Sequence, residues 1–90
     1  MRIKDGFTLR SICGEHVVIG EGLAQVSFNK MLSLNDSAAW LWEQVQGMEF
    51  TPEVLAGLLQ EKYEVDAVRA LDDSQKIVSE WLEQGVLDNE

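Results

Sequence analysis

The 90-residue chain has one cysteine, one proline and one histidine, and only seven basic side chains against sixteen acidic ones. Each scarcity excludes something. A lone thiol, Cys13, cannot form an internal disulfide and fits a reducing compartment. The acidic excess leaves a net charge of −9, and it is unevenly placed. Residues 1–34 carry four basic and three acidic side chains, whereas residues 35–90 carry three basic and thirteen acidic. Binding of nucleic acid by phosphate neutralisation needs a basic face, and an anionic membrane asks for the same. Neither fits this chain; a basic peptide or protein partner does. No stretch approaches the ~18 apolar residues of a membrane span. Residues Met1 to Gly6 lack the apolar core and small-residue cleavage site of a signal peptide, so the expected location is cytoplasmic. The length fits a single domain, residues 1–90, with one modest core and no large internal cavity.

What is present is order along the chain. Before Asn35, β-branched and aromatic residues sit between glycines; after it the pattern is helical. Phe7–Ile12 and His16–Ile19 read as two strands of a hairpin. A glycine-led two-residue loop at Gly14-Glu15 would pair Cys13 with His16 and Ile12 with Val17. A third extended segment, 25–34, holds Val26, Phe28, Leu32 and Leu34 in one period-two phase. Lys30 interrupts that phase, which predicts a bend at Asn29-Lys30 and an ordered strand from Lys30 to Leu34.

Three helices follow. Asn35 is a good N-cap for the first, whose apolar stripe is Ala38, Leu41, Trp42 and Val45, with Gly47 ending it. Thr51-Pro52 opens the second, with Leu55, Leu58, Leu59 and Tyr63 as its apolar face. The third runs from an Asp66 N-cap to Gln84 and carries a stripe of Ala67, Ala70, Leu71, Ser74, Ile77, Val78, Trp81 and Leu82. Gly85 is placed to cap it, so that Val86 and Leu87 fold back onto the core. The expected fold is therefore α+β: a three-stranded antiparallel sheet followed by three helices, in a winged-helix-like arrangement.

Catalytic chemistry is missing. An active site needs a nucleophile with a base, paired carboxylates in a pocket, or a metal cluster. Cys13 and His16 across a hairpin would make at most half a zinc site, with only Glu15 close by. A turn pair on a sheet edge is the simpler account. Gly20-Glu21-Gly22 lacks the helix and Lys-Ser/Thr of a phosphate loop. The expectation is a protein that is not an enzyme and uses no cofactor and no metal. Trp42 and Trp81 lie on apolar stripes and read as core. Trp40 lies off its stripe and either packs on the sheet or a neighbouring helix, or serves as an exposed anchor for a partner.

The junction Leu34-Asn35-Asp36-Ser37-Ala38-Ala39-Trp40-Leu41-Trp42-Glu43 resembles the leucine–asparagine, small-residue, tryptophan signature of the pyrroloquinoline-quinone biosynthesis protein D (PqqD) family. Gly14 after the strand Phe7-Thr8-Leu9-Arg10, Gly47, Phe50-Thr51-Pro52-Glu53-Val54, Tyr63-Glu64-Val65-Asp66 and Trp81-Leu82-Glu83-Gln84-Gly85-Val86-Leu87 fit it as well. The resemblance runs over residues 6 to 87. It implies a precursor-peptide recognition element that binds the leader of a ribosomally synthesised precursor and presents the rest to a modifying enzyme, a radical-SAM protein in many cases. It also implies where the leader lies: as an added strand beside the third strand, next to the third helix. The expected peptide-binding residues are Lys30, Met31, Leu32, Ser33 and Leu34, facing Leu71, Ser74, Gln75 and Val78. Met31 and Ser33, out of phase with the core-facing Leu32 and Leu34, are the expected side-chain contacts. The rival readings are a winged-helix DNA-binding regulator, which the charge opposes, and a small metal-binding protein built on Cys13 and His16.

Overall fold

The computed structural model describes residues 1–20 and 31–88. The expected bend at Asn29-Lys30, and Lys30 as a site residue, lie outside the described residues. The elements are β1 (Arg2–Ile3), β2 (Phe7–Ile12), β3 (Glu15–Gly20), β4 (Met31–Leu34), α1 (Asp36–Val45), α2 (Pro52–Lys62), α3 (Ala67–Glu83) and β5 (Leu87–Asp88). They form an antiparallel sheet in the order β2-β3-β4 and a second, two-stranded antiparallel sheet of β1 with β5.

Local chemistry sets the helix boundaries. Asn35 accepts the Ala38 N–H on its Oδ1 at 2.8 Å. Thr51 accepts from Val54 at 3.3 Å, with Pro52 in the first helical turn. Asp66 accepts from Arg69 at 2.8 Å. Each side chain satisfies one of the amide groups that a helix start leaves without a partner. At the end of α3, Gly85 takes φ 76. There the Gly85 N–H reaches Leu82 O and the Val86 N–H reaches Trp81 O, both at 3.1 Å. This double closure is the Schellman arrangement, and it returns the chain toward the core. Val86 and Leu87 are accordingly buried.

The expected hairpin register is corrected. The turn residues are Cys13 and Gly14, with φ 51 and 80, and the partners are Ile12 with Glu15 and Ser11 with His16. Two successive positive φ values make a type I′ connection, whose twist suits the flanking strands. Taking Gly14 as the first turn residue displaced the register, so Cys13 and His16 are not cross-strand partners.

The core lies where the inner face of the β2-β3-β4 sheet meets the helices. Leu9, Val18 and Leu32 align across the three strands in the observed register. Val18, Leu32 and Leu34 join Leu41, Trp42, Val45, Leu55, Leu59, Ala70, Val78 and Trp81 in one apolar cluster. Trp81 is its hub: Trp42 meets it edge-on at 5.2 Å between ring centroids, and Phe50 does so at 6.3 Å. The expected stripe on α3 is narrower in the structure. Ala70, Ser74, Val78 and Trp81 are buried, while Ala67 and Leu82 are exposed. The β1–β5 pair was not anticipated. It is extended by Lys4 N–H to Val86 O at 2.9 Å, and Phe50 N–H donates to Met1 O at 2.8 Å. Among the described residues no helix is long and apolar enough to cross a membrane.

Candidate functional site

Among the described residues β4 is the last strand of its sheet. Its inner neighbour β3 pairs Val17 with Ser33 and His16 with Leu34. Its other side has no strand partner among the described residues. A row of unpaired backbone donors and acceptors is a template for another strand. The side chains alternate as the pleat requires: Leu32 and Leu34 are buried in the cluster, and Ser33 between them is exposed. The far end of the strand is held firmly. Leu34 leads straight into the Asn35 cap, Ser37 Oγ donates to Asn35 Oδ1 at 3.1 Å, and His16 Nε2 lies 2.8 Å from Asp36 Oδ1. The His16–Asp36 contact links β3 to the first turn of α1 past the end of the edge strand.

The expected residues of α3 divide in two. Ser74 is fully buried and its hydroxyl donates to Ala70 O at 2.7 Å, and Val78 is 5% exposed. Both therefore belong to the core and present no surface, because they sit at the centre of the buried stripe. Leu71 is half-buried and Gln75 is exposed. Gln75 borders a shallow groove of about 500 Å³ along the outer face of α3, with Asp72, Lys76, Ser79, Glu80 and Glu83. Lys76 is paired with Asp72 at 3.1 Å, so the unpaired charge of this face is negative.

A second cavity, of about 220 Å³, was not anticipated. It is lined by Ser37 from α1, Leu59 from α2, Tyr63 and Val65 from the connection between α2 and α3, and Asp73 from α3. Tyr63 was expected on the buried face of the second helix. It stands instead just past Lys62, where the helix ends, and helical spacing no longer governs its direction. Its ring meets Trp40 edge-on at 6.4 Å, and the Lys62 ammonium sits 4.7 Å from the centre of the Trp40 ring. Trp40 thus packs on the neighbouring helix end, half-buried.

Cys13 is exposed at the hairpin tip, and His16 is engaged by Asp36. Among the described residues no three His, Cys, Asp or Glu side chains converge in a way that would hold a metal.

Two solved structures share this fold. One, described as "TbiB1 in Complex with the TbiA(beta) Leader Peptide", superposes with a TM-score of 0.76 at 17% identity, covering 100% of this chain and 98% of that one. The other, "Lasso peptide synthetase B1 complexed with the leader peptide", gives 0.69 at 21% identity, covering 93% of this chain and 92% of that one. No curated protein matches the chain at a significant level. The sequence model of coenzyme PQQ synthesis protein D matches residues 15–87, which take in every element from β3 to α3 together with the start of β5. By that match, and with the Asn35-capped junction of β4 and α1 in its expected place, the chain belongs to the coenzyme PQQ synthesis protein D (PqqD) family.

Proposed function

We propose that this protein recognises the leader segment of a ribosomally made precursor peptide and presents the remainder to a modifying enzyme, doing no chemistry itself. The observation that carries the proposal is the outer edge of β4, which has no strand partner among the described residues, in a PqqD-family chain. Both similar structures are described as complexes with a leader peptide, which supports the same reading.

The leader adds as a fourth strand on β4, with backbone bonds along Met31–Leu34 supplying most of the affinity. α3 forms the other wall, and of the residues expected there Leu71 and Gln75 reach the surface. Leu32 and Leu34, held in the core, keep the edge flat and in register before the peptide arrives, which lowers the ordering cost of binding. The family's role supports a radical-SAM protein as the first modifying enzyme to try, working in the cytoplasm where such a precursor is made.

Amide shift mapping tests the site. The leader of a precursor encoded beside this gene should perturb residues 31–34 and slow their amide exchange. The outer edge of β2 also has no partner among the described residues. Perturbation of residues 7–12 with residues 31–34 silent would place the peptide there and overturn the proposal.

A further inference from the structure

α2 carries a glycine that the fold itself does not call for. Gly57 stands in the middle of the helix with ordinary helical backbone. A side chain started there would meet no atom within 4 Å among the described residues. Glycine is the poorest helix former after proline, so the position gives up stability without serving a contact inside the protein. What the missing side chain does allow is close approach of another molecule to the helix backbone.

The surroundings give that opening a chemistry. Helical spacing sets Glu53, Gly57 and Glu61 in one row, four residues apart, with Val54 and Leu58 in the row beside it. Val54 is exposed and Leu58 half-buried. Glu53 and Glu61 are exposed, and neither has an ion-pair partner among the described residues. The result is a notch with an apolar flank and a free carboxylate one turn before and one turn after the glycine, about 12 Å apart along the helix axis. Its direction matters too. Leu55, Ala56 and Leu59 are the buried side of α2 and join Leu32 and Leu34 of the edge strand in one cluster. Gly57 and Glu61 lie on the opposite side of the helix. A peptide added to β4 leaves this face open.

We infer that this face of α2 docks the modifying enzyme, through a surface of the enzyme that is apolar at its centre and basic at its ends. The inference rests on the peptide-presenting reading and gives it a second interface: a presenting protein must hold its peptide and its enzyme at once, and two faces on opposite sides of the core allow that. Charge selects the occupant. The notch is flanked by two unpaired carboxylates in a chain of net charge −9. A second copy of the chain would bring the same carboxylates against them, whereas a basic surface neutralises both. The enzyme's apolar centre covers Val54 and Leu58, and its backbone or a small side chain enters over Gly57.

The test uses the whole chain and the purified radical-SAM enzyme encoded beside this gene, with affinity read by calorimetric titration. Gly57→Gln fills the notch with a good helix former. It should raise the melting temperature by a few degrees and yet weaken enzyme binding about tenfold by steric exclusion. A variant that is more stable and binds less separates docking from folding. The double variant Glu53→Gln, Glu61→Gln should weaken the enzyme about fivefold, as expected for two exposed charge pairs, and should remove most of the salt dependence. Leader affinity should stay the same in all variants. Unchanged enzyme affinity in Gly57→Gln would overturn the inference, as would absence of enzyme binding to the wild type or a lower melting temperature in Gly57→Gln. Wild-type self-association that Gly57→Gln abolishes, seen by analytical ultracentrifugation, would give the face to a second copy and overturn it as well. Leader perturbations centred on residues 53–61 would give it to the peptide, with the same consequence. The leader mapping on residues 31–34 is read without the enzyme, so failure of the strand-addition reading and failure of the docking face give different results.

Discussion

Trp42 is fully buried at the centre of the core, against Trp81 at 5.2 Å, and its indole Nε1–H is buried without a hydrogen-bond partner among the described residues. These facts pull in opposite directions on substitution. A tryptophan side chain buries ~150–250 Å². At ~25 cal/mol per Å² its full removal costs about 4–6 kcal/mol. An unsatisfied buried donor already costs the folded state ~1–3 kcal/mol, and Trp42→Ala relieves it. The expected loss is therefore about 3 kcal/mol, the low end for emptying such a site. Trp42→Phe separates the two effects. It gives up roughly 2 kcal/mol of apolar burial, a few ring carbons' worth, and relieves the same orphaned N–H, so the net change should stay within about 1 kcal/mol.

Urea denaturation followed by far-UV circular dichroism reads both variants without using the mutated ring as the probe. A chain of this length has a total stability of roughly 5–13 kcal/mol. The alanine variant should thus lose a large part of its midpoint while the slope holds, and the phenylalanine variant should keep most of it. A Trp42→Phe loss above about 3 kcal/mol would mean that the indole N–H has a partner and that the reasoning is wrong. A Trp42→Ala loss below about 1 kcal/mol would remove Trp42 from the core altogether.

Trp40→Ala should cost less than Trp42→Ala, about 1–2 kcal/mol, from one edge-on ring pair and one exposed cation–π contact; the reverse order in the same denaturation series would refute the packing described for Trp40. Cys13→Asn should raise the thermal midpoint by a few degrees, because the position has φ 51 and asparagine followed by glycine is the favoured type I′ pair, whereas an unchanged or lower midpoint would argue against that turn. Asn35→Ala removes the cap of α1 and should cost ~1 kcal/mol, and it should also weaken leader binding by loosening the end of β4, seen by calorimetric titration. Gly85→Ala forces a side chain into the left-handed region and should cost ~1–2 kcal/mol, read as a lower melting temperature.

The part of the candidate site that was legible is the part governed by neighbours in sequence. Leu32 and Leu34 alternate with Ser33, and that alternation alone puts the leucines inside and the serine outside. The fate of the residues expected on α3 was less legible. Ser74 carries a hydroxyl and could stand at a surface as well as in a core; its bond to Ala70 O, one turn back, is what lets it be buried. The cavity around Asp73 left no trace in any periodic pattern, because its residues come from three helices and a connection. The nearest signal was Tyr63, an aromatic residue at a helix end where spacing stops being informative.

By itself the sequence determined the three helices, their starts and the end of the third, since a cap acts within four residues: Asn35, Thr51, Asp66 and Gly85 each stand where the first or last turn needs them. It also determined the main apolar stripes and the strand-then-helix order, which follow from periods of two and 3.6. Only the tertiary structure decided the rest. The hairpin register turned on which two residues take positive φ, a choice between neighbouring turns of similar local energy that pairing with β3 and β4 settles. The β1–β5 sheet joins two-residue strands more than eighty positions apart, too short to carry a pattern and worth forming only once Val86 and Leu87 are folded back onto the core. The place of β4 at the end of the β2-β3-β4 order among the described residues is likewise a property of the tertiary structure, because a strand's own residues do not say whether a neighbour lies on its other side.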